Sequence, residues 1–415
     1  MCLSASLVGV LVFIRKRSLI GEALSHAAYP GVVLTALFFA LFFPEQQEAL
    51  PFAFLVGAFL SALGGLFLID WLQRVAKIKN DAALSLVLAL FFGVGILIAS
   101  RMQITHALFY QQIQVFLYGQ AATMLDVHVI IYALLAMVTV CTTFLLYRLL
   151  LIVNFDREFA TVTKIWVKGI DAIFFFLLVL SIVIGIRSVG VVLMSGMLIV
   201  PAAAARFFAR GLASFFCISA FFGLISGFLG NYLSVELPRF YGLSLSLPTG
   251  PMILLSSVLI FLFALFFSKE RGLVRRYVRI FRFKQQCLTD NVLKALWKRG
   301  EGAEVALTEL QGFSWRLTIL LRKLRYQGWV VSAKPGHYRL SADGWLRALR
   351  IVRLHRLWEV YLVTHLGQGK DRVHRNAEEI EHILTPELEQ ELTELLQDPK
   401  QDPHDQPIPG RPEVR

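Results

Sequence analysis

Residues 51–73 read PFAFLVGAFLSALGGLFLIDWLQ, a run whose only charge is Asp70. A helix crossing a bilayer needs about 20 mostly apolar residues, so this stretch is long and apolar enough to be one. Similar runs lie near 29–44, 82–100, 127–148, 170–186, 189–205, 212–233 and 249–267. Residues 2–14 are apolar as well but end at Arg15-Lys16-Arg17. A secretory signal carries its charges ahead of the apolar run, so 1–14 reads as the tail of a first span that begins upstream. The spacing predicts an all-α polytopic membrane domain of about nine spans. Composition agrees, with 56% hydrophobic and 17% charged residues against roughly a quarter charged in soluble domains. Cys2, Cys141, Cys217 and Cys287 are too scattered for a metal ribbon or disulfide framework. Disordered, disulfide-rich secreted and simple cytosolic proteins are excluded.

Charge divides the chain further. Residues 1–285 carry a net +11, 290–356 carry +8 and 357–415 carry −7. Basic residues gather in the cytoplasmic loops of membrane proteins. With Arg15–Arg17 placed inside and each run crossing once, 19 basic residues fall inside and three, Arg101, Arg187 and Arg239, outside. That choice makes residues 286–415 cytoplasmic.

Polar groups within spans are costly and mark pathways. The strongest candidate is Glu22-Ala23-Leu24-Ser25-His26-Ala27-Ala28-Tyr29-Pro30-Gly31. Glu22 and His26 stand four apart, so a helix puts them on one face. A carboxylate with an imidazole suits a first-row divalent cation. A helix-entry hydrogen bond beside a Pro-Gly kink is the plainer reading of the same spacing. No GxxxxGK(S/T) occurs in the chain, so an ATP-binding P-loop would have to come from another polypeptide.

Glu22–Gly31 resembles the "(D/E)ALSHAxxPG" segment of the membrane subunits of bacterial manganese, zinc and iron ABC importers. Asn154-Phe155-Asp156-Arg157-Glu158-Phe159-Ala160 is similar to their cytoplasmic "FDPEFA" loop. Leu198–Arg206 resembles their "LLIIPAATAR" helix, and Leu247–Pro251 the opening of their last span. The resemblance implies a translocation path through Glu22, Ser25, His26 and Pro30. It also implies an ABC ATPase subunit, a periplasmic metal-binding protein and a permease dimer, homo- or hetero-, in the inner membrane. An importer must pass ATPase motion to its helices, and Phe155, Asp156, Glu158 and Phe159 are the residues expected to couple to that ATPase.

Beyond the spans, Lys269–Lys284 is a basic stretch expected to contact anionic headgroups and to serve as an exposed linker. Residues 289–330 read as three short helices, Asp290–Lys298, Leu307–Gln311 and Ser314–Gln327. Leu317, Leu320, Leu321 and Leu324 line the inner face of the third. Two strand-like runs follow, Trp329–Ser332 and His337–Leu340. The pattern predicts a winged helix-turn-helix, with Ser314, Trp315, Arg316, Arg322, Lys323 and Arg325 toward DNA. Leu354–His365 and Arg375–Leu384 read as further helices. His355 and Glu359 are four apart, and Glu378, Glu381 and His382 fall on one face. Carboxylates with imidazole and no thiolate suit Mn2+ or Fe2+.

The runs HRLWEVYL, VHRNAEEIEHIL and DPHDQPIP resemble the metal-binding and dimerisation domain of diphtheria-toxin-repressor-like metalloregulators. By that resemblance Glu378, Glu381 and His382 belong to the primary metal site, and His355, Glu359 and His374 are ligands of the same region. The first-helix ligand position falls on Asn291, with Asp290 beside it. The chain stops soon after Pro409, short of the SH3-like domain of some relatives. Expected boundaries are 1–268 for the membrane domain, 269–286 for the linker and 287–350 for the winged helix-turn-helix. Residues 351–409 then form the metal-binding and dimerisation domain, and 410–415 a tail.

These readings combine into a permease for Fe2+ or Mn2+, with Zn2+ within range, fused to a dimeric, metal-dependent repressor of operator DNA. The exposed linker suggests release of the tail by proteolysis. The rival is a permease whose tail is a metal-sensing gate that never meets DNA. An intramembrane metalloenzyme has no HExxH to support it, so the chain is not expected to be an enzyme.

Overall fold

The structure, a computed structural model, describes residues 1–45, 49–119, 126–242, 247–310, 317–369, 373, 377, 382 and 385–410. Two compact units divide at Arg275/Arg276.

Among the described residues the regular structure of the first unit is all helical. In chain order it contains α1 (Cys2–Ile14), α2 (Leu19–Phe42), α3 (Leu50–Arg74), α4 (Asn80–Thr105), α5 (Ala107–Tyr118), α6 (Asp126–Leu145), α7 (Tyr147–Phe155), α8 (Arg157–Val162), α9 (Val167–Val189), α10 (Val191–Arg206), α11 (Leu212–Phe240) and α12 (Thr249–Phe267). Only helices satisfy their own backbone in lipid without closing a barrel, which is why every apolar run takes this form. Among the described residues six helices, α2, α3, α4, α9, α11 and α12, are long and apolar enough to cross a membrane. α6 and α7 make a seventh if the pair, bent by 67°, is one span. The two remaining expected spans correspond to the short helices α1 and α10. α5 was not expected, because Gln111, Gln112 and Gln114 lower its hydropathy although Phe109, Ile113 and Phe116 bury its inner face.

Burial separates core from periphery. In their most apolar stretch α2 is 67% and α9 61% buried, against 28% for α3, α4, α11 and α12. α2 packs on α3, α4, α5, α9 and α10. Its contact with α3 is a backbone contact. A Cβ on Gly31 would lie 2.0 Å from the Gly57 carbonyl oxygen, and one on Gly57 would lie 2.1 Å from Thr35 Oγ1. Small residues at helix crossings allow this approach in membranes. The Ser61 hydroxyl then donates to the Ala27 carbonyl across the same seam at 2.7 Å. Between α9 and α10, Gly190 at φ +98° ends one helix and starts the next, a conformation open to glycine.

The second unit begins within α13 (Leu273–Trp297). Residues expected as an exposed linker are therefore mostly helical, since Gly272 is the last glycine before Gly300 and no proline intervenes. After it come β1 (Val305–Ala306), a 3₁₀ turn at Leu307–Leu310, α14 (Leu317–Tyr326), β2 (Val330–Lys334), β3 (His337–Leu340), α15 (Ala342–Thr364) and α16 (Pro386–Leu395). The sheet is antiparallel in the order β1-β3-β2, with Val305 opposite Tyr338 and Val330 opposite Leu340. Leu317, Leu320, Leu321 and Leu324 of α14 are buried against Val292, Leu293 and Leu296 of α13 and Ile351 of α15. Ser341 caps α15, accepting from the Gly344 N–H at 3.0 Å. Residues near the C-terminus fold back on α15, where Arg353 donates to the Pro409 carbonyl at 2.7 Å and to Asp398 at 3.2 Å. Lys400 and Arg353 together hold the Asp398 carboxyl below its ordinary range.

Overpacking a close helix crossing costs about 1–3 kcal/mol or more. Gly57→Val is expected to force α2 from α3 and to cut the yield of monodisperse, detergent-solubilised protein several-fold on size exclusion. Gly64→Ala, where nothing lies within 4 Å of the added carbon, is expected to match the wild type. Equal behaviour of the two variants would show that the crossing is not tight.

Candidate functional site

α2 positions the first group of candidates. Pro30 lies inside this helix and cannot donate to the carbonyl four residues back, which is that of His26. Residues His26–Pro30 are all buried, and Glu22 is half-buried. The His26 ring packs edge-on against Phe92, centroids 4.5 Å apart. Its Nδ1 is buried with no hydrogen-bond partner. The Ser25 hydroxyl is already used, donating to the Gly21 carbonyl at 2.7 Å. So α2 carries a carboxylate and an imidazole one turn apart, next to a bared carbonyl. Among the described residues no third His, Cys, Asp or Glu joins them in a metal-holding group.

The 154–168 segment forms α7, α8 and the turn into α9. Asp156 is the N-cap of α8 and accepts from the Phe159 N–H at 2.8 Å. That bond gives Asp156 a structural task which its place in an alternating charge run did not reveal. Glu158 sits in the first turn of α8, where a negative charge favours the helix dipole. Phe155, Phe159, Val162 and Trp166 are exposed by 70%, 52%, 80% and 76%. Four large apolar side chains in twelve residues present a surface that water disfavours. Val162 and Trp166 were missed in the sequence because their exposure shows only once α8 and the turn into α9 are placed. Arg157 is turned the other way, onto Asp171 of α9.

In the second unit the described polar candidates form two buried groups along α13 and α15, Asp290 with His382 and Lys294 with His355 and Glu359. Among the described residues no three His, Cys, Asp or Glu make a metal-holding group. Asp290 and Lys294, one turn apart on α13, are 4% and 6% exposed; His355 and Glu359 of α15 are 3% and 2%. Charged side chains are rarely this buried unless paired. His355 Nε2 lies 3.2 Å from Glu359 Oε1, and Lys294 Nζ lies 3.2 Å from His355 Nδ1. His382 Nδ1 lies 3.2 Å from Asp290 Oδ2. The other Asp290 oxygen is buried without a hydrogen-bond partner, and an Arg347 nitrogen stands 3.8 Å from it. Of the two first-helix positions, Asp290 thus meets His382, while Asn291 is half-buried. Lys294 was not foreseen, since a lone lysine in an apolar helix reads as solvated until a neighbouring helix covers it. His374, Glu378 and Glu381 lie outside the described residues, as do Ser314, Trp315 and Arg316. Arg322, Lys323 and Arg325 are exposed on α14, as is Tyr326.

Residues 1–268 match the model of the ABC 3 transport family. The chain belongs to that family. Residues 341–410 match the metal binding and dimerisation domain of the iron dependent repressors, so this ABC 3 chain carries a repressor-type domain behind its membrane part. A probable metal transport system membrane protein of Chlamydia trachomatis is 34% identical over 99% of this chain and 94% of its own length. That match runs through both units. The manganese transport system membrane protein MntC of Bacillus subtilis is 31% identical over 87% of this chain and 81% of its own. The solved structure of PsaBC from Streptococcus pneumoniae in complex with Fab covers 67% of this chain and 90% of that chain. Its TM-score is 0.54 at 26% identity. This ABC 3 chain is therefore a multi-pass metal-transport permease with a C-terminal repressor-type domain.

The placement of Asp290 gives a direct comparison. Asp290→Ala is expected to weaken Mn2+ binding by the full-length protein at least tenfold, about 1.4 kcal/mol, in competition titration. Asn291→Ala is expected to change it less than twofold. The reverse order would return the ligand position to Asn291.

Proposed function

We propose that residues 1–268 form the permease subunit of an ABC importer for a divalent first-row metal, Mn2+ or Fe2+ with Zn2+ in range. We propose further that the C-terminal unit is a metal-dependent repressor that binds operator DNA as a homodimer. The observation that carries this is the pair of family matches in one chain. A permease raises cytoplasmic metal, and a repressor domain on the same polypeptide reads the result.

Within the membrane, Glu22 and His26 of α2 are the donors assigned to the path, Pro30 opens the helix beside them, and Ser25 supports that turn from within. α1 and α10 complete nine spans on this reading, and the basic loops place the C-terminus in the cytoplasm of an inner-membrane protein. Phe155 and Phe159, with Asp156 and Glu158 setting the short helix, face a separate ATPase. A periplasmic metal-binding protein supplies the ion, and a second permease, identical or paired, completes the channel.

In the tail, the donor types suit a divalent metal, although among the described residues they do not gather into a metal-holding group. Asp290 keeps one carboxylate oxygen without a hydrogen-bond partner, and no thiolate is present to favour softer ions. Asp290, His355, Glu359 and His382 would hold it, joined by His374, Glu378 and Glu381. Bound metal would supply the positive charge that draws carboxylates and imidazoles from separate segments together. The three-stranded sheet and the basic, exposed side of α14 support a winged helix-turn-helix over 287–350, with Arg322, Lys323 and Arg325 toward phosphate. The helical form of 273–297 gives proteolysis less purchase than a coil, so the tethered state is favoured over release.

Two measurements test this. His26→Ala is expected to lower Mn2+ uptake at least tenfold at unchanged membrane level; normal uptake would remove α2 from the path. Full-length protein in nanodiscs is expected to shift its own promoter DNA only with metal present, and Arg322→Ala with Lys323→Ala to abolish the shift. Metal binding without any shift would favour the gate, and a blot of native cells separates a tethered tail from a released one.

A further inference from the structure

The α1–α2 turn meets the consecutive helices α8 and α9, some 150 residues on, at one carboxylate that the metal path does not use. Asp171 of α9 takes an Arg157 nitrogen from α8 at 2.6 Å on Oδ2. An Arg15 nitrogen from the α1–α2 turn stands 2.9 Å from its Oδ1, an ion pair by distance in which that buried oxygen has no hydrogen-bond partner. Arg15 is held further by α7, its Nε donating to Asn154 Oδ1 at 2.7 Å. Its guanidinium also lies over the Phe174 ring at 4.0 Å. The two arms of this hub differ in solvation. The Arg15 side chain is 11% exposed and that of Asp171 17%, whereas that of Arg157 is 63% exposed. Burial pushes the Arg15 pKa down, and Asp171 opposes that shift. The inner pair is therefore costly to break, since either charge would be left buried alone. The outer pair is exposed and cheap to break. A strong link on the side of α2 and a weak one on the side of α8 suit a joint that moves.

We propose that Asp171 is a positioning residue that carries movement of α8 to the Arg15 turn and so to α2. Glu22 lies seven residues beyond Arg15, in the first turn of α2, so a shift of the Arg15 turn reorients the face that bears Glu22 and His26. The proposal rests on the reading that α7 and α8 dock the ATPase. Phe155, Phe159, Val162 and Trp166 are exposed, whereas Asp171 and Arg15 are largely buried. Their task is transmission rather than docking, which requires an element with two arrangements biased from both ends.

The test uses the full chain assembled with its ATPase and external binding protein in nanodiscs, with Mn2+ as the ion. Asp171→Asn keeps the shape and the acceptor oxygen but removes the charge. It is expected to retain the ATPase while ions carried per ATP hydrolysed fall at least fivefold. Arg157→Gln is expected to do the same. The double variant is expected to be no more than twofold worse than Asp171→Asn alone, since that change already breaks the Arg157 link together with the inner pair. If both single variants transport with wild-type stoichiometry while the ATPase stays bound, the hub is not part of coupling. A multiplicative loss in the double variant overturns it equally. Should Asp171→Asn fail to reach the membrane, Arg157→Gln, on the solvent side, decides alone. Phe155→Asp with Phe159→Asp separates the underlying reading. Loss of the ATPase from that variant supports docking at α8, and its retention removes docking and the hub together.

Discussion

The close crossing of α2 and α3 at Gly31 and Gly57 sets the terms for the membrane unit. With no side chain between them the two backbones touch, and α2 can then sit inside a ring of α3, α4, α5, α9 and α10. A helix so enclosed keeps Pro30 in place, because packing on its neighbours offsets the hydrogen bond that the proline removes. The same enclosure buries His26 without a hydrogen-bond partner for Nδ1, a state that costs free energy unless something occupies the site. Packing and candidate chemistry are thus one arrangement viewed from two sides.

A different constraint organises the C-terminal unit. Its apolar core, from Val292 to Ile351, is small, and beside it lie four charged or titratable groups exposed by no more than 6%, Asp290, Lys294, His355 and Glu359. They tolerate burial because each stands within 3.2 Å of an opposite or complementary group. α13 supplies two of these and α15 the other two, so the polar cluster locks the same two helices that the leucines of α14 bring together. Any ion held there would act on the relation between α13 and α15, the helices on either side of α14 and the sheet.

Much of this was legible in the sequence. Every apolar run became a helix, since periodic burial and a bilayer's demand on the backbone leave no other form. The leucine face of α14, the hairpin at 330–340 and the pairing of His355 with Glu359 followed from spacing alone. α5 was not legible, because its glutamines hide an inner face that only neighbouring helices define. Nor was the capping role of Asp156, which depends on where α8 starts.

The sequence by itself determined that this chain enters a membrane, that a basic and an acidic module follow, and that metal-binding residue types recur in both halves. Those conclusions need only composition, period and order, which are local. Tertiary structure decided which residues meet. It chose Asp290 over Asn291 as the neighbour of His382, covered Lys294 with α15, and joined Arg15, Arg157 and Asp171 across more than 150 positions. Contacts between segments so far apart depend on how helices cross, and no local pattern in a sequence records that angle.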